Sequence, residues 1–148
     1  MPPSDDALSA LYQEVLLDHY RRPRNRGELP CANVSVDKKN PLCGDEITLQ
    51  IEFAGDTVQD VKFTGQGCAI SQASASMMTQ QLKGKSREQV ERLARRFTEM
   101  VHGDDAAARD AALGDLRALA GVSRLPVRLK CALLAWGALA EALTEELK

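Results

Sequence analysis

Four side chains in this sequence could hold a soft metal ion or carry sulfur: the thiols of Cys43, Cys68 and Cys131 and the carboxylate of Asp45. Cys43 and Asp45 stand in Asn-Pro-Leu-Cys-Gly-Asp-Glu, where Gly44 lets the backbone bend so that both aim at one atom. Cys68 stands in Gly-Gln-Gly-Cys-Ala-Ile-Ser, approached through Gly65 and Gly67. Cys131 stands in Leu-Pro-Val-Arg-Leu-Lys-Cys-Ala, with Arg128 and Lys130 just before it. Helical spacing would put Arg128 on a face near Cys131. Nearby cations favour thiolate, the form that binds metals and attacks sulfur. Three thiolates and a carboxylate supply the ligand number of a tetrahedral Zn²⁺, and the sulfur donors also suit iron–sulfur chemistry. The carboxylate lacks thiolate softness, so it forms the exchangeable arm of such a set. No Cys-x-x-Cys pair is present, and spacing alone leaves a second reading open, in which all four cysteines are small buried hydrophobes.

The elements that must position these groups fall into three zones. Residues 5–21 read as a helix, with apolar side chains recurring at helical spacing up to Leu16 and a stop before Pro23. Residues 33–66 read as β: Ile47, Leu49, Ile51 and Phe53 alternate with polar residues, Gly55-Asp56 makes a turn, and Val61 and Phe63 continue the pattern. Asn33 to Lys38 adds a third strand. From Cys68 onward the chain reads as helical. Ala69 to Leu82 is one helix, with Cys68 at its positive end. Ser86 with Gln89 forms a capping box for a second helix running to about Val101. Residues 105–120 are rich in Ala and Leu and are expected to be helical despite Gly114, and a last helix runs from Pro126 to about Leu147. Strands first and helices afterwards predict an α+β fold: a small three-stranded antiparallel sheet with helices packed on one face, residues 1–148 forming a single domain.

Composition narrows the function. The chain has 148 residues, nineteen Lys+Arg against twenty-one Asp+Glu and a net charge of -2, a balance that argues against a non-specific nucleic-acid binder. The longest apolar run, Cys131 to Ala140, is too short to cross a bilayer, which takes roughly 20 residues. The opening Met-Pro-Pro-Ser-Asp-Asp carries no signal-peptide pattern, so the expected location is cytoplasmic, where thiols stay reduced. Other chemistry-bearing residues have plainer readings. Cys31 is incidental, His19 a helix-end or surface histidine, His102 a solvated turn residue, and Arg21, Arg22, Arg24 and Arg26 a solvated or partner-facing patch. Met77, Met78, Leu82 and Trp136 belong to the core.

Four segments, taken together, resemble a known family: Tyr-Gln-Glu-Val-Leu-Leu-Asp-His-Tyr-Arg-Arg-Pro-Arg-Asn-Arg-Gly, Asn-Pro-Leu-Cys-Gly-Asp, Gly-Gln-Gly-Cys-Ala-Ile-Ser-Gln-Ala-Ser and Pro-Val-Arg-Leu-Lys-Cys-Ala-Leu-Leu-Ala-Trp. They are similar, in this order, to the IscU/NifU N-terminal-like proteins of iron–sulfur cluster assembly. The chain most resembles the SufU branch, because Lys130 stands where IscU proteins usually have His and because the stretch around 97–118 is about a helix longer. The chaperone-binding motif of IscU proteins is only partly present, as Leu125-Pro126-Val127-Arg128. The resemblance implies a SufE/NifU-like fold, Cys43, Asp45, Cys68 and Cys131 as Zn²⁺ ligands, Cys43 as the persulfide acceptor and Arg128 as a basic residue beside the site. It implies a zinc-dependent sulfurtransferase, partnered by a SufS-type cysteine desulfurase and passing sulfur toward a downstream iron–sulfur assembly complex. The alternative it carries is a scaffold that assembles a [2Fe–2S] cluster on the same ligands.

Overall fold

The structure is a computed structural model that describes residues 5–41 and 44–146, with side chains described over 13–41 and 44–145. Helix α1 (Asp5–Arg21) leads into strands β1 (Val34–Asn40), β2 (Asp45–Ala54) and β3 (Thr57–Gln66). Helices α2 (Ala69–Leu82), α3 (Arg87–Val101) and the short α4 (Asp105–Ala108) follow, then a 3-10 segment (Ala111–Arg124) and α5 (Pro126–Glu146). The sheet is antiparallel in the order β1-β2-β3, as the short connections predict.

Alternation along the strands decides which face is covered. Val34, Val36, Ile47, Leu49, Ile51, Phe53, Val58, Val61 and Phe63 are all buried on one side. Val58 and Val61 share that side although they are an odd number of residues apart. A bulge opposite Glu52/Phe53 pairs Glu52 with Asp60 and Phe53 with Val58, so one residue of β3 is left over and the parity shifts. Helix α5 packs on β1 and β2, and α2 packs on β3, giving the expected helices on one face.

Helix α2 lies at the centre of the helical layer and buries polar side chains as well as Met77, Met78 and Leu82. The buried hydroxyls of Ser74, Ser76 and Thr79 tie α2 to α5 and to α1 with the segment after it, which is how such groups escape the cost of desolvation. Ser74 Oγ donates to the carbonyl of Ala132 on α5 (2.7 Å) and accepts from Trp136 Nε1 (3.2 Å). The Trp136 ring stacks on Phe97 of α3 with centroids 4.4 Å apart, a contact worth about 0.5–1.5 kcal/mol beyond its area. Ser76 Oγ accepts from the Arg24 backbone N–H (2.8 Å), while Asn25 Nδ2 reaches Thr79 Oγ1 (3.2 Å).

His19 corrects the surface reading given to it. It stands near the end of α1 but is 1% exposed, clamped between Ser76 Oγ (2.8 Å from Nδ1) and Asp115 Oδ2 (3.0 Å from Nε2). An ionised Asp115 accepts only, so Nε2 carries the proton, and in the neutral ring Nδ1 accepts from the Ser76 hydroxyl. The histidine thereby joins α1, α2 and the 3-10 segment. The arginines beyond α1 are partly engaged within the chain. Arg22 and Arg24 both bond the Asp18 carboxylate (2.5 and 2.6 Å), Arg24 first and Arg22 second holding that carboxyl below its ordinary pKa, and Arg26 donates to the Gly65 carbonyl (3.1 Å). His102 is exposed, as expected, and Cys31 is exposed too, which decides between the surface and core positions open to it.

The Ala-rich stretch 105–120 is not one α-helix. Asp104 caps the one-turn α4 by accepting from the Ala107 N–H, and Asp110 caps a new start by accepting from the Ala112 N–H. Gly114 then breaks the segment at φ 54°, ψ -131°, a backbone that side-chain-bearing residues avoid. A Cβ there would lie 2.4 Å from Gln81 Nε2, which itself bonds the Leu113 carbonyl. Asp caps and one obligatory glycine outweigh the helix propensity of the alanines.

His19→Ala should lower unfolding stability by about 1–3 kcal/mol in urea titration, because it strips the buried Ser76 hydroxyl of its acceptor and leaves a cavity. Asp115→Ala removes only the half-exposed end of the same chain and should cost less than about 1 kcal/mol. Equal losses in the two variants would contradict the clamp.

Candidate metal centre

The sheet and two helix starts meet at one end of the molecule. β1 and β2 form a hairpin whose last pair is Asn40 with Asp45, and the Gly44 N–H closes the connection onto the Asn40 carbonyl (3.0 Å). Cys43 sits in that connection and lies outside the described residues. Asp45 is therefore the first residue of β2, and it is 1% exposed.

β3 ends at Gln66, and Gly67-Cys68 turns the chain into α2. Cys68 is the N-cap of α2: its Sγ accepts from the Ser71 N–H at 3.4 Å, and its own N–H donates to Asp45 Oδ1 at 2.8 Å. The cysteine thus occupies the positive end of a fourteen-residue helix, where anionic sulfur is favoured. Gly67 is required by proximity. A Cβ there would lie 2.2 Å from Asp45 Oδ1 and 2.8 Å from Ser71 Oγ, so a side chain at 67 would push the carboxylate away.

Cys131 enters from the third direction. Pro126 opens α5, and Cys131 follows in its second turn, buried, with Sγ 3.8 Å from the Val127 carbonyl. One ligand atom each from Asp45, Cys68 and Cys131 lies within 4.8 Å of the others. The Cys68 Sγ to Asp45 Oδ2 separation is 3.8 Å. Two ligands about 2.0–2.3 Å from a tetrahedral centre stand about 3.3–3.8 Å apart, so the Cys68–Asp45 pair already has a zinc-sized spacing and the other pairs reach it with a contraction of at most about 1 Å. Sulfur, sulfur and a carboxylate oxygen are also a chemically suitable set for it.

Arg128, exposed in the first turn of α5, supplies the positive charge that the local sequence suggests. Its guanidinium is held protonated, above its ordinary pKa, chiefly by the negative charge of Cys68 and then by hydrogen bonds to Cys68 and Cys131. The site therefore carries a counter-charge bridging two of its sulfurs. Sequence reasoning did not single out Ser71 and Gln72. Ser71 donates its N–H to the Cys68 sulfur, and Gln72 Nε2 donates to Ser71 Oγ (3.2 Å) while Gln72 Oε1 is buried without a partner among the described residues. The available signal was the three-residue spacing from an N-cap Cys68 to Ser71.

Among the described residues, no helix is long and apolar enough to cross a membrane. The chain is 47% identical over 142 residues to the zinc-dependent sulfurtransferase SufU of Bacillus subtilis (strain 168), covering 94% of this chain and 93% of that protein. It is 46% identical to the iron–sulfur cluster assembly scaffold protein IscU of Streptococcus pyogenes serotype M1, covering 92% and 84%. A solved crystal structure of a hypothetical protein, 45% identical, superposes with a TM-score of 0.85 over 92% of this chain and 98% of that one. The model of the NifU-like N-terminal domain matches residues 11–146. With that match over nearly its whole length, this chain belongs to the NifU-like N-terminal domain family.

Proposed function

We propose that this protein is a zinc-dependent sulfur acceptor, which takes persulfide sulfur from a SufS-type cysteine desulfurase in the cytoplasm and hands it toward iron–sulfur cluster assembly. The observation that carries the reading is the convergence of Asp45, Cys68 and Cys131 on one point, with ligand atoms within 4.8 Å of one another and Arg128 beside them. The likeness to a relative named as a zinc-dependent sulfurtransferase supports it. Cys43 would complete the set, two residues before Asp45 in the sequence. Bound Zn²⁺ would keep the thiols deprotonated at neutral pH without redox chemistry of its own.

The chain's own residues account for the rest. Three thiolates and a carboxylate around a divalent cation leave a net charge of roughly -2, which Arg128 partly offsets from the solvent side. The Cys68 N–H fixes Asp45 Oδ1, so the carboxylate keeps its orientation while Oδ2 faces the Cys68 sulfur. In the transfer, the Cys43 thiolate attacks the outer sulfur of the desulfurase persulfide. A new sulfur–sulfur bond forms on Cys43, the donor's sulfur–sulfur bond breaks, and the donor cysteine leaves as thiolate. Lys130 in the place before Cys131 favours this role over cluster building, since it cannot serve as an imidazole ligand would.

Three measurements test the proposal. The purified protein should carry one Zn²⁺ per chain, stay colourless and raise desulfurase turnover. Bound iron with visible absorption would favour the scaffold reading instead. Cys43→Ala should accept no radiolabelled sulfur from the desulfurase, and labelling at the wild-type level would defeat the acceptor role. Arg128→Gln and Gly67→Ala should each weaken zinc affinity by about 10–100-fold in chelator competition, one by removing the counter-charge and the other by displacing Asp45. Unchanged affinity in both would mean that these contacts do not support the metal.

A further inference from the structure

A groove of about 860 Å³ runs between α3 and α5, with Gly137 on its α5 wall standing beside Lys38 of β1. One wall carries Leu133, Trp136, Gly137 and Ala140, and the other carries Arg92, Arg95 and Arg96 with Glu99. Both sets follow the spacing of a single helix face, so the trough extends for about 10 Å, or two helical turns. Its floor is apolar and includes the edge of Trp136, whose ring is fixed beneath by Phe97 and Ser74. The exposed small side chain of Ala140 lets another backbone approach α5 closely there, whereas Lys38 of β1 already lies against Gly137.

Charge narrows the occupant. Arg96 is already matched, to Asp110 at 2.9 Å and Glu99 at 3.8 Å. Arg92 and Arg95 are exposed, and no ion pair or hydrogen bond engages their side chains among the described residues. An unmatched pair of cations along an apolar trough complements a helix with an apolar stripe edged by carboxylates. A second copy of this chain, set face to face about a twofold axis here, would bring both unmatched arginine pairs into one interface without adding a matching surplus of carboxylates. A nucleic acid would find an apolar floor and a chain of net charge -2.

We propose that the α3/α5 groove is a docking site for an acidic amphipathic helix of a partner protein. The site is separate from the metal centre: Leu133 to Ala140 lie beyond Cys131 along α5 and line the trough with α3, whereas Cys131 meets Asp45 and Cys68. Docking there leaves the metal centre open to its own partner.

Trp136 is the chain's sole tryptophan, so its emission reports on the groove directly. The probe is a synthetic tryptophan-free peptide with leucines at helical spacing and glutamates flanking them, titrated into the full-length zinc-loaded protein. Trp136 emission should change saturably. The exposed double variant Arg92→Glu/Arg95→Glu should keep its melting temperature, bind the peptide about tenfold more weakly, and prefer a lysine-flanked version of it. Flat emission throughout the titration, or equal affinity in the double variant, would overturn the proposal. So would sedimentation of the protein alone as a dimer that Ala140→Glu splits, because the face would then be filled by a second copy.

Discussion

The hydrogen bond from the Cys68 N–H to Asp45 Oδ1 joins the first residue of β2 to the first turn of α2. It satisfies one donor that a helix N-terminus otherwise leaves without an intrahelical partner, and it anchors a buried carboxylate that would be costly unpaired. The same contact aims the other carboxylate oxygen at the Cys68 sulfur. The geometry of the candidate metal centre and the junction of β2 with α2 thus share one interaction, and the bare Gly67 backbone is what makes room for it.

Around that joint, the polar content of α2 is distributed so that the helix is registered against everything it touches. Ser74 fixes α5, Ser76 fixes His19 and the segment after α1, and Thr79 receives Asn25. Apolar packing alone tolerates sliding by a fraction of a turn, whereas a buried hydroxyl with one partner does not. Since α2 carries Cys68 and α5 carries Cys131, the Ser74–Ala132 bond sets the distance between two sulfurs from one residue beyond Cys131. The aromatic pair Phe97–Trp136 then braces α5 against α3.

Much of this was readable in the sequence where local chemistry and tertiary demand agree. The strand alternation of Ile47 to Phe53, the capping box at Ser86 and Gln89, and Cys68 at the head of a helix all stand as expected. The relation of Asp45 to Cys68 and Cys131 was suggested by residue type and family likeness rather than by spacing, because a site drawn from a hairpin, a helix cap and a distant helix has no local signature. Misreadings came where a long-range partner decided the outcome. His19 lies among charged neighbours in sequence, yet Ser76 and Asp115 enclose it. Residues 105–120 have helical composition, but Asp110 starts a new turn and Gly114 takes a backbone dictated by Gln81. Val58, which the expected alternation of Val61 and Phe63 does not include, enters the core through a bulge that shifts the strand's parity.

The central claim is that segments far apart in sequence converge on one divalent ion with a single oxygen arm. X-ray absorption at the zinc edge reads that ligand set directly. The account predicts three sulfurs at about 2.3 Å and one light atom at about 2.0–2.2 Å in the zinc-loaded protein, with the light-atom contribution altered in Asp45→Ala. A shell of light atoms alone, or a spectrum identical in wild type and Asp45→Ala, would contradict it.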